Sequence, residues 1–261
     1  MITSLRRGRD RSNVGRVSDR DPSRDLWEAH ADWWIDEFTD GIDPEYTDQI
    51  IPLALDELAG RGRILDIGCG DGQISRALAA AGSEVVGIDP TWNQIRVAHE
   101  RGGGPRYVRA TADEIPFPDG SFDAALVCLV FEHIDALDAA IAEVARVVRS
   151  GGQFSFFLNH PLSQTPGSGW IDDQILDPPE QYWRIGPYLA EAETIESVEH
   201  GVSIRFLHRP LSRYINTLAD HGLVIDQMVE PVPPKRFLAL APEYTEAATI
   251  PRLLYLRLRR R

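Results

Sequence analysis

From residue 63 to residue 160 the chain repeats one pattern: a short apolar run, a turn, then a stretch whose apolar residues recur every three or four positions. Arg63 to Ile67 is the first such run, and a glycine-rich turn ends it. Gly72 to Ala81 follows, with Ile74, Ala77, Leu78 and Ala81 on one helical face and Gly82 as the stop. Glu84 to Ile88 predicts a second strand closed by Asp89-Pro90, and Trp92 to Arg101 a second helix stopped by Gly102, Gly103 and Gly104. Arg106 to Arg109 predicts a third strand, and Pro116, Pro118, Asp119 and Gly120 mark a loop before a fourth, apolar strand from Asp123 to Val130. Asp135 to Arg149 sets Leu137, Ile141, Val144, Val147 and Val148 at helical spacing, and Gly151-Gly152 ends it before a fifth strand, Gln153 to Leu158. Continuous apolar strands are buried on both faces, so their alternation with amphipathic helices predicts an α/β fold: a doubly wound parallel sheet covered on both sides.

The flanks read differently. Residues 25 to 59 look helical, with a break at Gly41 to Pro44 and the aromatics Trp27, Trp33, Trp34, Phe38 and Tyr46. Residues 161 to 205 are rich in Pro, Gly and acids, with scattered Trp170, Tyr182, Trp183 and Tyr188; they read as a lid insertion over the sheet's ligand edge, where a substrate is chosen. Leu211 to His221 predicts a helix, Leu223 to Val229 a sixth strand and Pro251 to Leu258 a seventh. With no internal repeat and no second core, residues 25 to 261 are expected to form a single domain. Residues 1 to 24 carry seven arginines, interleaved with Asp10, Asp19 and Asp21, and lack the apolar centre of a secretory signal. They are expected to be a disordered tail, with a polyanion-binding arm as the lesser alternative.

Composition narrows the functions. A net charge of −13 repels phosphate backbones, so no nucleic-acid partner is expected. No apolar run approaches the roughly 20 residues of a membrane span, so no membrane partner is expected either. Cys69 and Cys128 are the two cysteines, without a CxxC or a histidine cluster. That disfavours a disulfide scaffold and any metal site, and suits a reducing cytoplasm. The oligomeric state is left open.

The candidate chemistry lies in Asp66-Ile67-Gly68-Cys69-Gly70-Asp71-Gly72, which follows the first strand and opens the first helix. Glycines allow a tight turn and a close ligand, and the helix N-terminus offers free N–H groups to a carboxylate or phosphate. About 17 residues past Gly72, Asp89 closes the second strand, where an acid hydrogen-bonds the hydroxyls of an adenosine ribose. After the third strand, Asp113 can accept from an adenine amine beside the backbone N–H of Ala112.

Together these stretches resemble the class I S-adenosylmethionine-dependent methyltransferases that act on small molecules. The resemblance rests on ILDIGCGDG (Ile64 to Gly72), VGIDP (Val86 to Pro90), DEIPF (Asp113 to Phe117), SFD (Ser121 to Asp123), FEHI (Phe131 to Ile134) and VARVVRSGG (Val144 to Gly152). The loop has the D-x-G-x-G-x-G spacing and lacks the G-x-G-x-x-G of dinucleotide oxidoreductases. The resemblance implies a Rossmann-like, seven-stranded, mostly parallel sheet with the last strand antiparallel. It implies S-adenosyl-L-methionine as cofactor and a small-molecule acceptor. It places Asp66, Gly68, Cys69 and Gly70 at the methionine part, Asp89 and Pro90 at the ribose, Ala112 and Asp113 at the adenine, and Cys128 close by. A non-catalytic protein binding the same adenosine ligand is the alternative.

Several residues keep two readings each. His133, after the fourth strand, could be a general base, a cofactor contact, or a polar cap of the next loop. His160, after the fifth strand, is a second candidate. His208 and Arg209 could bind an acidic substrate or tie the lid to the body. Trp33, Trp34 and Tyr46 could close over the cofactor or pack the N-terminal helix to the sheet. Both cysteines read as small apolar fillers, since neither has a base beside it in sequence. The acidic run from Glu191 to Glu199 reads as a solvated face.

Overall fold

Runs of valine, isoleucine and leucine form a seven-stranded sheet in the computed structural model, which describes residues 27–39, 42–197, 201–240, 242–244 and 246–261. The tail expected over residues 1 to 24 lies outside the described residues. In chain order the elements begin with helix α1 (Ala31–Phe38), then a π-turn (Tyr46–Ile50) that runs into α2 (Ile51–Leu58). Next come β1 (Arg63–Ile67), α3 (Gln73–Ala80), β2 (Glu84–Asp89), α4 (Trp92–Arg101), β3 (Arg106–Arg109) and β4 (Phe122–Cys128). A 3-10 turn (Phe131–His133), α5 (Leu137–Val147) and β5 (Val148–Asn159) complete the repeating part.

The strand order is β10-β11-β5-β4-β1-β2-β3, with β10 (Leu223–Val229) and β11 (Leu253–Arg260) at one end. β1 runs parallel to β2 and β4, as do β2 to β3 and β4 to β5; β11 is antiparallel to both β5 and β10. The order reverses between β1 and β4, the switch point at which open α/β sheets hold ligands beyond their strand C-termini. Pleating sends neighbouring side chains to opposite faces. Ile64, Ala124 and Leu126 thus meet Ala54, Leu58, Ile74 and Leu78 of α2 and α3. Leu65, Ala125 and Val127 meet Ile141 and Val144 of α5, and Leu218 of α7 (Leu211–Asp220). Each fully buried aliphatic side chain of these two layers contributes on the order of 1.5–3 kcal/mol.

Two readings need correction. The helix expected from Asp135 to Arg149 stops at Val147, because Val148 already pairs with Phe122 and begins β5; Gly151 and Gly152 lie inside that strand. Residues 161 to 205 are also more regular than their composition suggests. They hold a short helix α6 (Pro161–Gln164) and two antiparallel hairpins, β6 (Gly169–Asp173) with β7 (Glu180–Arg184) and β8 (Ala192–Ser197) with β9 (Ser203–His208). Half-buried and exposed residues alternate along β8, and Glu193 pairs with Arg205 across the hairpin. Ile204 and Phe206 of β9 pack with Trp27 and Trp33. A one-turn helix α8 (Lys235–Leu238) precedes β11. Among the described residues no helix is long and apolar enough to cross a membrane.

Candidate functional site

The turn after β1 is held by the end of β2: Gly68 N and Cys69 N both donate to Ile88 O, at 2.8 and 3.0 Å. Gly68 has φ of +71°, and a Cβ there would overlap Val130 Cγ2, so only glycine fits. Gly72, at φ +83°, is the N-cap of α3. The loop's two acids are buried for different purposes. Asp71 forms ion pairs with Arg76 and Arg101, and Arg101 also donates to Thr39 Oγ1 at 3.2 Å, joining α3, α4 and the N-terminal segment. Asp66 accepts from Ser75 Oγ at 2.6 Å. Burial pushes the Asp66 carboxyl up to about 7; the Ser75 bond opposes this, and the nearby Asp89 and Asp71 add to it.

Asp89 closes β2 with both carboxylate oxygens engaged. Oδ2 accepts from Gly70 N at 3.0 Å and Oδ1 from Thr91 N at 2.8 Å. Burial raises its pKa, and these two amides partly offset the rise. The acid therefore fixes the glycine loop while staying on the wall of a cleft of about 1190 Å³ at the strand C-termini. Asp66, Gly68, Cys69 and Gly70 line the same cleft, as do Pro90 after β2, Ala112 and Asp113 after β3, and Cys128 at the end of β4. Every cofactor-contacting residue expected from the sequence is thus brought to one cavity. The N-terminal segment adds Trp27, Glu28, Trp34, Thr39 and Tyr46 to the lining. Trp34 and Tyr46 therefore face the cleft, whereas Trp33 packs with β9. Among the described residues none of 161–205 lines the cleft, and within that stretch Val202 and Ile204 pack with Trp27 and Trp33 of the N-terminal segment.

His133 also lines the cleft, in an unusual setting. Its ring lies between those of Trp27 and Phe206, with centroids 4.9 and 4.7 Å away. Nδ1 is 2.7 Å from Arg205 O, a carbonyl that can only accept, so Nδ1 carries the proton and Nε2 is a bare acceptor. Burial pushes the imidazole pKa down to about 4, leaving it neutral at pH 7. So weak a base removes support from the general-base reading of His133; accepting a hydrogen bond through Nε2 is what its geometry allows. Burial pushes both thiols, Cys69 and Cys128, well above their usual range, so neither is a ready nucleophile.

The remaining candidates lie away from the cleft. His160 caps α6 by accepting from Leu162 N at 3.2 Å, and its Nε2 is 2.9 Å from Glu230 Oε1. His208 Nε2 donates to Tyr188 O at 2.8 Å. Arg209 donates to Phe131 O and Ile134 O at 3.0 and 2.7 Å, tying β9 to the turn that carries His133.

Sequence reasoning missed Glu132, beside His133. Its Oε1 accepts from Asn159 Nδ2 at 2.7 Å, and its buried Oε2 has no partner. Burial pushes this carboxyl up to about 7. A folded-state pKa above the unfolded value means stability is full below about pH 4.5 and lost as pH rises through 7, on the order of 3 kcal/mol. Glu132→Gln should remove that loss, so its melting temperature should gain on wild type steadily between pH 5 and 8. Parallel calorimetric melting curves across that range would show the carboxyl ionises without cost.

These residues suit S-adenosylmethionine. The Asp66 and Asp89 carboxylates match a cationic ligand with a hydroxyl pair, Gln94 Oε1 is buried and unpartnered at the cleft, and the cavity exceeds what the cofactor alone would fill. Comparison with known proteins agrees. Residues 65–156 match the family model described as a methyltransferase domain. The chain is 30% identical over 163 residues to demethylmenaquinone methyltransferase of Thermobifida fusca, covering 56% of this chain and 67% of that protein. It is 37% identical over 139 residues to a ubiquinone biosynthesis O-methyltransferase of Aromatoleum aromaticum, covering 49% and 57%. A solved S-adenosylmethionine-dependent methyltransferase from Mesorhizobium loti superposes with a TM-score of 0.68 at 28% identity, over 80% of this chain and 96% of that one. The chain belongs to the class I S-adenosylmethionine-dependent methyltransferases, and S-adenosyl-L-methionine is its cofactor.

Proposed function

We propose that this enzyme transfers a methyl group from S-adenosylmethionine to a partly apolar, ring-bearing small molecule held between the glycine loop and the N-terminal segment. The observation that carries this reading is the cleft whose lining brings Asp66, Asp89 and Asp113 together with Trp27, Trp34 and Tyr46. When bound, the cofactor supplies an electrophilic sulfonium methyl group and a thioether leaving group. In this reading Asp89 grips the ribose with Pro90 beside it, Ala112 and Asp113 receive the adenine, and Asp66 with Gly68, Cys69 and Gly70 holds the methionine part near Cys128. The aromatic wall and neutral His133 orient the acceptor and exclude water, which is where alignment contributes most to such a displacement. Two relatives are named demethylmenaquinone methyltransferase and ubiquinone biosynthesis O-methyltransferase, and a quinone is a ring compound, in keeping with that wall.

The acidic cleft and net charge of −13 speak against a nucleic-acid acceptor, and the two free thiols suit the cytoplasm. Titration calorimetry should show tight binding of S-adenosylmethionine and S-adenosylhomocysteine and none of NAD. Mass spectrometry of S-adenosylhomocysteine release against a metabolite panel should then identify a ring-bearing acceptor. NAD binding without the other two, or release driven by RNA, would sink the proposal.

A further inference from the structure

Thr91, the N-cap of α4, gives that helix no side-chain cap. Its first free N–H groups are taken by a residue far earlier in the chain: Trp92 N and Asn93 N donate to the Glu28 carboxylate at 2.7 and 3.2 Å. A carboxylate there satisfies two orphan donors at the positive end of the helix. The adjacent Trp27 reaches the other way, edge-on to His133 and packed with Ile204 and Phe206 of β9. Beyond these anchors Trp34 and Thr39 line the cleft, and Arg101 of α4 holds Thr39. Neighbouring residues of one segment thus grip opposite halves of the site: the end of α4 beside Asp89, and the turn that carries His133.

We propose that residues 27–39 form a strap across the cleft, with Glu28 as the positioning residue that holds Trp27 and Trp34 over the site and releases α4 whenever the adenosine ligand enters or leaves. The inference rests on the cofactor reading above. The start of the strap is held on one side by the Glu28 hydrogen bonds and on the other by Trp27 packing, and its far end by the bond from Arg101 to Thr39. A ligand settled against Asp89 and an acceptor settled against Trp27 therefore stabilise the same closed arrangement, and each slows the departure of the other.

The test uses S-adenosylhomocysteine as probe, with stopped-flow tryptophan fluorescence for its rates and hydrogen exchange for the Trp92 and Asn93 amides. In Glu28→Ala both amides should lose protection, and ligand dissociation should quicken at least about fivefold, with association also faster. Glu28→Gln keeps an acceptor oxygen and should fall between wild type and Glu28→Ala. Asn93→Pro deletes one of the two donors at a position in the first helical turn where proline is tolerated, and should shift the rates the same way if Glu28→Ala folds poorly. Retained amide protection in Glu28→Ala, or unchanged rates once protection is lost, would overturn the strap. Absence of probe binding to the wild-type protein would instead overturn the cofactor reading.

Discussion

Replacing Gly68 by alanine is expected to lower the melting temperature by roughly 10 °C and to weaken S-adenosylhomocysteine binding by about tenfold or more. Two costs add. An alanine held at φ +71° loses about 1–2 kcal/mol relative to its preferred conformations. Its Cβ would also enter the space of Val130 Cγ2, and overpacking of this kind costs about 1–3 kcal/mol. The backbone has little room to relax, because Gly68 N and Cys69 N are both bonded to Ile88 O. Val130 must therefore give way, and Val130 lines the cleft. That makes the double variant Gly68→Ala with Val130→Ala informative: it should recover much of the lost affinity but not the conformational cost. Thermal melts and calorimetry on both variants check this, and equal affinities for Gly68→Ala and wild type would show that the loop does not meet the ligand.

The second large effect is expected at Asp89. Asp89→Ala should weaken S-adenosylhomocysteine binding by about 1–3 kcal/mol, roughly 5- to 150-fold. The loss has two sources that a conservative change separates. The carboxylate holds Gly70 N and Thr91 N, so its removal frees the glycine loop as well as the grip on the ribose. Asp89→Asn keeps one acceptor oxygen for a backbone amide and should lose less than Asp89→Ala. Because burial raises this pKa, wild-type affinity should begin to fall, as pH is lowered, sooner than for an ordinary aspartate. Isothermal titration across pH reads all three effects; an affinity indifferent to the side chain would mean that Asp89 serves the loop alone.

Much of the sheet was legible because its strands are apolar at nearly every position and its helices carry clear stripes. Trp92–Arg101 and Arg106–Arg109 begin and end where glycine, proline and periodicity place them. The glycine loop, Asp89 and Asp113 were legible because turn geometry and strand ends fix their placement. The hairpins of residues 161–205 were hidden by composition. In Ala192–Ser197 the acids Glu193 and Glu196 look like a solvated run, and the partner strand, where Ile204 and Phe206 are buried, shows the apolar alternation more clearly. Glu28 was invisible for another reason: its partners, the amides of Trp92 and Asn93, are backbone groups far along the chain, so no sequence pattern marks them. The neutrality of His133 follows from Trp27, Phe206 and Arg205 O, all brought to it by tertiary structure.

The placement of β11 bears on how the molecule assembles. Because β11 lies between β5 and β10 and pairs with both, β10 has no hydrogen-bonded route to the rest of the sheet until β11 is in place. The pairing of Leu253 with Asn159 and of Leu258 with Phe154 also closes a loop of about a hundred residues. Contacts of that sequence separation form slowly, since chain entropy is lost before they reward it. The half containing β1 to β5 can organise from local strand–helix–strand units, whereas β10 and α7 must wait. Glycine loop and late-forming edge are therefore separate territories: Asp66, Asp89 and Asp113 belong to the half with local contacts, onto which the N-terminal wall of the cleft docks.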